Sequence, residues 1–299
     1  MERINYSNCP GCGSAEIGYR LVAKDYTVSM EEFPVWQCKV CLLRFTQQVP
    51  VQASIGNYYK AENYISHTDT KTGFINSLYH RIRQRTLNSK EQLVRRFTGL
   101  STGKLLDIGA GTGAFCQHMK AAGWSITGLE PDETTRLRAH ELHGVSLDPA
   151  EELFRLPAGS YDAITLWHVL EHVHTLHEYV ERIRELLTPQ GMAFIAVPNY
   201  TSYDAAVYKQ YWAAYDVPRH LYHFSPQAMN SLLKKHRLTL LTTEPMWYDS
   251  FYVSMLSEQY KHQAAGYLRA AWTGLLSNAK ALFNKQHCSS LIYVVSREK

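Results

Sequence analysis

The stretch Lys104-Leu-Leu-Asp-Ile-Gly-Ala-Gly-Thr-Gly113 constrains this chain more than any other. The run Leu105 to Ile108 reads as a buried strand, and Phe115, Met119 and Ala122 recur at helical spacing directly after it. Gly109, Gly111 and Gly113 fall at the strand-to-helix turn, where glycine lets a ligand approach the backbone closely. A second strand, Trp124 to Leu129, ends in Glu130-Pro131-Asp132, and an acid at that tip can accept both hydroxyls of a ribose. Helix 133–142, a short strand near Val145 to Leu147, strand Tyr161 to Trp167, helix 175–187 and strand Met192 to Val197 continue the alternation. Further strands are expected over 238–254 and Ser289 to Ser296. The pattern predicts an α/β fold with a parallel, doubly wound sheet.

With these motifs in place, the sequence resembles the class I S-adenosylmethionine-dependent methyltransferases. The resemblance covers about residues 101–245 and rests on Asp107 to Gly113, Glu130, Tyr161-Asp162 through Trp167-His168-Val-Leu-Glu171-His172-Val173, Leu186-Leu187-Thr-Pro189-Gln-Gly191 and Ala196-Val197-Pro198-Asn199. Dinucleotide-dependent dehydrogenases more often carry G-x-G-x-x-G, whereas this turn is G-x-G-x-G. The resemblance implies a Rossmann-like, seven-stranded methyltransferase sheet. It also implies that Gly109, Gly111 and Gly113 pass under the methionine part of S-adenosylmethionine, with Ala110 and Thr112 in the same turn. Asp107 would sit near the cofactor's amino group, Glu130 with Pro131 at the ribose, and Asp148 on the adenine side. Trp167 and His168 would face the sulfonium and the acceptor. Amino-methylating DNA enzymes carry an Asn- or Asp-Pro-Pro-aromatic motif after the fourth strand, where this chain has Trp167-His168, so DNA-base methylation is disfavoured.

Four of the six cysteines, Cys9, Cys12, Cys38 and Cys41, form two C-x2-C pairs separated by 25 residues. Two such thiolate pairs can close a tetrahedral zinc shell, and a redox pair is the other reading of the spacing. A segment this short has little core of its own and needs a staple, so the zinc is expected to be structural. Gly11 and Gly13 ease the first turn, while Cys41 is followed by Leu42, which predicts a looser second one. The expected organisation is a small N-terminal zinc ribbon over 1–48, a helical connecting or lid region over 49–100, and a methyltransferase domain over 101–299 with a helical insertion near 255–287. Within the connecting region, Asn57-Tyr58-Tyr59 and Tyr64 are expected to lie against the next domain. Helix 78–97, from Leu78 to Phe97, carries Arg81, Arg83, Arg85, Lys90, Arg95 and Arg96. That row reads either as a solvated basic face or as an anion or nucleic-acid contact.

Six of the 14 histidines lie between His168 and His223. His168, Glu171 and His172 stand at i, i+3 and i+4 and would share a face on one helical turn. Two chemical roles are open. His168 or His220 is a general base for an acceptor hydroxyl. Alternatively, His168, Glu171, His172 and His223 hold a second divalent metal. That spacing is similar to the E-x-x-E-H plus distal histidine of small-RNA 2′-O-methyltransferases, and here His168 replaces the first glutamate, which softens the site away from magnesium. A third possibility is that these side chains only orient loops. Tyr200, Tyr203, Tyr208, Tyr211, Tyr215 and Tyr222 crowd the same region, which is expected to border the ligand crevice.

Composition limits the partners. A formal net charge of +4 is too small to argue for nucleic acid by itself. No apolar run approaches a membrane-spanning helix and the N-terminus lacks a signal-peptide pattern, so a cytoplasmic protein is expected. There is no Asp or Glu from Gln259 through Arg297. The reading is O-methylation of a small-molecule acceptor. RNA 2′-O-methylation is one alternative. The other is sugar C-methylation, because the cysteine pairs followed by paired tyrosines also look like zinc-containing sugar C-methyltransferases, whose extra C-terminal α/β domain this sequence does not contain.

Overall fold

The computed structural model describes residues 2–59, 74–262 and 266–298; Tyr64 and the side chain of Leu78 lie outside them. In chain order the N-terminal elements are β1 (Arg3–Ile4), β2 (Ile17–Lys24), β3 (Glu32–Cys38), β4 (Arg44–Thr46), β5 (Val49–Pro50), α1 (Gln52–Ile55) and α2 (Phe74–Thr98). There follow β6 (Lys104–Ile108), α3 (Ala114–Ala121), β7 (Ser125–Leu129), α4 (Glu133–His143), β8 (Tyr161–Trp167), α5 (Leu176–Leu186) and β9 (Leu187–Pro198). The remainder is α6 (Tyr203–Tyr208), β10 (Tyr222–His223), α7 (Pro226–Lys235), β11 (Leu238–Pro245), α8 (Asp249–His262), α9 (Tyr267–Phe283) and β12 (Ser290–Arg297). Two compact units emerge. One comprises Met1–Tyr64, His168–Val180 and Ala196–Tyr293; the other comprises Ile65–Trp167, Glu181–Ile195 and Val294–Lys299. They cut across the boundaries expected near residues 48 and 100.

The main sheet has the strand order β11-β12-β9-β8-β6-β7. β6 pairs in parallel with β7 on one side and β8 on the other. Its Leu105, Leu106 and Ile108 are all buried, as expected for a strand with neighbours on both edges and no wet face. The chain runs outward to β7, then returns across β6 to β8. That reversal leaves a crevice at the carboxyl end of β6, where the glycine turn begins. Asp132 caps α4 by accepting the Thr135 N–H at 2.7 Å, and Gly144 ends it at φ 62°.

Two expected strands come out differently. The segment near Val145 to Leu147 is reduced to one parallel bridge, Leu129 to Asp148. Only four residues separate the left-handed Gly144 from Pro149, and proline has no N–H to extend a ladder. The described sheet therefore has six strands, with the seventh place marked by Asp148. The strand expected over 238–254 stops at Pro245, and the following residues form α8. Ser250, Val253, Ser254 and Ser257 are buried at i, i+3, i+4 and i+7, a helical and not a strand period.

The first unit holds a second sheet, ordered β10-β4-β3-β2. Cys9 and Cys41 bring their sulfurs to 3.5 Å, Cys12 and Cys38 theirs to 3.6 Å, and ligand atoms of all four lie within 4.8 Å of one another. Such a cluster fits a tetrahedral shell with Zn–S bonds of about 2.3 Å. The Gly11 and Val40 N–H groups point at Cys9 and Cys38 sulfur, both at 3.4 Å. The second turn is not looser: Leu42 takes φ 64° where the first turn has Gly13 at φ 84°. A leucine there bears a left-handed backbone at a cost of roughly 1–2 kcal/mol. Nor is this sheet confined to residues 1–48, because β4 pairs antiparallel with β10, Tyr222 opposite Phe45.

Arg219 is buried at 1% exposure. Its guanidinium donates to Asp25 at 3.0 Å, Asp216 at 2.5 Å and the Tyr58 carbonyl at 2.9 Å. Burial works to neutralise Asp25, but the Ser29 amide, Arg219 and the Thr27 amide outweigh it and hold the carboxyl well below the usual range. Replacing Arg219 with methionine strands two carboxylates and should cost about 3–5 kcal/mol in urea unfolding. A group with a depressed folded pKa contributes stability above its unfolded value, near pH 4, and loses it as pH falls. Asp25→Asn should therefore flatten the acid limb of the stability profile below about pH 4. An unchanged limb contradicts this account of the pair.

Candidate active site

The glycine turn belongs to the second unit. Gly109, Gly111 and Gly113 all take left-handed φ values, 72°, 54° and 75°. Gly109 and Ala110 both donate their N–H to the Leu129 carbonyl at 2.8 Å, tying the turn to the end of β7. A Cβ on Gly111 would meet nothing within 4 Å, so the backbone there faces open space. Glu130 clasps the turn: its carboxylate accepts the Gly111 N–H at 2.9 Å and the Asp132 N–H at 3.2 Å. Burial raises the Glu130 pKa, and these amides oppose the rise. Arg136 donates to the Glu130 and Pro131 carbonyls, which fixes the tip of β7. Asp148 is exposed and holds the same tip through its backbone, accepting the Glu130 N–H at 2.9 Å.

Asp107 points into the protein. It is 1% exposed, accepting the Thr165 hydroxyl at 2.6 Å and the Cys116 thiol at 3.5 Å. Burial pushes its pKa up to about 6. These contacts make it a buried anchor beneath the turn, and they do not support the expected approach to a cofactor amino group. Trp167, at the end of β8, packs edge-on against Phe115 at 5.5 Å, and Lys90 lies 4.1 Å from its ring centroid. Its Nε1–H is buried and has no partner among the described residues. An open glycine backbone and an unmatched buried donor both fit a cofactor at this turn. Two cations read as members of a basic row on α2 are engaged here instead. Lys90 stands over Trp167, while Arg95 pairs with Glu91 at 2.8 Å and donates to the Ala122 carbonyl.

The histidines belong to the first unit. Residues 168–175 form turns and not the expected helical turn, and His168 takes φ 60°. Its Nε2 lies 2.9 Å from Asp249 and its Nδ1 3.3 Å from Glu171. Burial favours the neutral ring, but the two carboxylates outweigh it and the pKa is pushed up to about 10. With both nitrogens engaged by carboxylates, the His168 ring favours the protonated form, which is poorly suited to accept a proton from an acceptor hydroxyl. Sequence reading missed Asp249, which stands 81 positions away in what looked like a strand.

Glu171, His172 and His220 form a tighter group, each offering a ligand atom within 4.8 Å of the others. The Glu171 carbonyl accepts the Leu221 N–H at 2.8 Å, which brings the two segments together. His172 Nδ1 is 3.1 Å from the Arg219 carbonyl and 3.0 Å from the Tyr59 hydroxyl; His220 Nδ1 is 2.9 Å from the Ala214 carbonyl. A carbonyl only accepts, so each Nδ1 carries a proton, and the neutral form of each ring presents its lone pair at Nε2. Burial, then His220, pushes the His172 pKa down to about 4, which keeps that ring neutral. Glu171 is fully buried, and its Oε2 has no partner among the described residues. His223 leaves the expected metal set: its Nε2 meets the Thr46 hydroxyl at 3.1 Å and its ring packs on Tyr215. Tyr208, Trp212 and Tyr215 join Phe33 and Tyr58 in a hydrophobic core, so much of the tyrosine enrichment is packing.

A family model described as a methyltransferase domain matches residues 79–243, over half of the chain. The chain belongs to this methyltransferase family. Among curated relatives, this family member is 28% identical over 171 residues to the mitochondrial ubiquinone biosynthesis O-methyltransferase of Bos taurus, covering 51% of this chain and 45% of that one. It is 36% identical over 112 residues to the ubiquinone biosynthesis O-methyltransferase of Chelativorans sp., covering 35% and 43%. The chain thus spans about half the length of the curated relatives it matches. A solved SAM dependent methyltransferase from Archaeoglobus fulgidus superposes with a TM-score of 0.47 at 15% identity, over 75% of this methyltransferase-family chain and 100% of the other. No helix among the described residues is long and apolar enough to cross a membrane.

Proposed function

We propose that the protein transfers a methyl group from S-adenosylmethionine to a hydroxyl oxygen of a small molecule. The observation that carries this reading is the open Gly111 backbone clasped by the Glu130 carboxylate at the carboxyl end of β6. S-adenosylmethionine supplies, when bound, a methyl group on a preactivated sulfonium. The protein's part is then largely to position and exclude water. Gly109, Gly111 and Gly113 permit close backbone approach, Glu130 accepts ribose hydroxyls, and Trp167 Nε1 is a donor awaiting an acceptor. Oxygen as the acceptor atom is supported by relatives named as O-methyltransferases. Four thiolates held for structural zinc suit the reducing cytoplasm.

Glu171, His172 and His220 would hold a second divalent ion. Two imidazoles and one carboxylate suit zinc or a similar borderline metal better than magnesium. Such an ion would supply Lewis acidity. His168 orients Glu171 through its Nδ1, while the Arg219 and Ala214 carbonyls fix the two ligand rings.

Calorimetric titration with S-adenosylmethionine should show binding that Glu130→Ala weakens about 10- to 100-fold, as expected for losing hydrogen bonds to a charged group. Unchanged affinity in the variant refutes the site. Elemental analysis should find metal beyond one zinc per chain. Cys38→Ser should lose the zinc and Glu171→Ala the additional ion; wild-type metal content in Glu171→Ala refutes the second site.

A further inference from the structure

α9 is built inside out. At 100° per residue, Leu268, Trp272, Leu275, Leu282 and Phe283 fall within an arc of about 100°. All five are exposed, Leu268 at 89% and Phe283 at 94%. The opposite arc carries Ala270, Thr273, Gly274, Ser277 and Ala281, and these small residues are the buried ones. A Cβ on Gly274 would come within 2.7 Å of the Phe251 ring, so the small face is what lets α8 and α9 pack closely. An ordinary surface helix turns its large apolar side chains inward. Here they face out, and α8 adds exposed Phe251, Tyr252 and Met255. An exposed apolar helix face of this kind marks an interaction surface.

The charges around this face select its occupant. No Asp or Glu occurs from Gln259 through Arg297, while Lys261, Arg269 and Lys280 are all exposed. The two acids of α8 are turned to internal partners, Asp249 to His168 and Glu258 to the Tyr208 hydroxyl. Beside Phe283 lies a largely apolar groove of about 430 Å³, bordered by Tyr203, Ala206 and Lys280, and it extends the apolar surface at this end of α9. We infer that α8 and α9 dock on the surface of an anionic lipid bilayer, with the Leu268–Phe283 face in the acyl boundary and Arg269 and Lys280 at the phosphates. A helix with an apolar face and flanking cations binds membranes in this in-plane manner. This surface is distinct from the methyl-transfer reading and does not depend on it.

The test is flotation of the full-length protein with vesicles of phosphatidylcholine alone, or of phosphatidylcholine mixed with phosphatidylglycerol. The protein should float with the mixed vesicles, more weakly with the neutral ones, and less as salt rises. Brominated acyl chains should quench its fluorescence, and Trp272→Phe should remove that quenching. Leu268→Ser with Phe283→Ser should lower partitioning by about tenfold or more. Each of Arg269→Glu and Lys280→Glu should weaken binding to the mixed vesicles by about fivefold or more. Circular dichroism should match the wild type in every variant, because all these positions are exposed. Absence of flotation with the mixed vesicles overturns the inference, as does equal flotation in the variants. So does a dimer in light scattering that Trp272→Ser dissociates, which would assign the face to a second copy.

Discussion

Arg219 is the residue on which the first unit turns. Its guanidinium ties Asp25, Asp216 and the Tyr58 carbonyl together, joining chain segments about two hundred positions apart. Its own carbonyl meets His172 Nδ1 at 3.1 Å, and the next residue is His220. One side chain therefore locks the N-terminal sheet region to the loop that presents His220, while one main-chain oxygen of that loop sets the tautomer of His172. A buried guanidinium is tolerable only because two carboxylates and a carbonyl replace its water. The same logic explains Asp25, whose amide and Arg219 partners keep it charged in a buried place.

The second unit solves a different problem with the same means. A backbone meant to face a ligand must be held open, and three left-handed glycines do this only if something fixes the turn from below and beside. Asp107 fixes it from below through Thr165 and Cys116; Glu130 fixes it from the side through the Gly111 amide. Neither carboxyl is a free surface acid, and burial raises the pKa of both. Rigidity at the turn thus comes from polar groups satisfied within the protein, leaving open space beside Gly111 and one unmatched buried donor, Trp167 Nε1.

Local pattern carried the sequence reading a long way. The glycine turn, Glu130, the parallel alternation and the two cysteine pairs are signals within one to three turns of chain, and each is found in the structure. The failures lie where distance in sequence decides. Asp249 reaches His168 from 81 positions away, and nothing local to either residue reveals it. His220 and not His223 joins Glu171 and His172, because β10 commits His223 to Thr46 on the neighbouring strand. Lys90 looked like one of a row of solvated cations until the fold put a tryptophan under it. Leu42 shows the reverse error: a missing glycine suggested a loose turn, yet the cysteine geometry imposes the left-handed backbone on a leucine. Tyrosine enrichment misled because an aromatic core and a ligand crevice have the same composition.

The central claim is methyl transfer to oxygen, and the most direct measurement follows the methyl group itself. The protein is incubated with S-adenosylmethionine carrying a carbon-13 methyl and a small-molecule cell extract, and the products are resolved by carbon–proton correlation NMR. The account predicts new signals in the O-methyl region, confined to the low-mass fraction and absent without protein. Label found only in RNA, only on nitrogen or carbon, or in no product would contradict it.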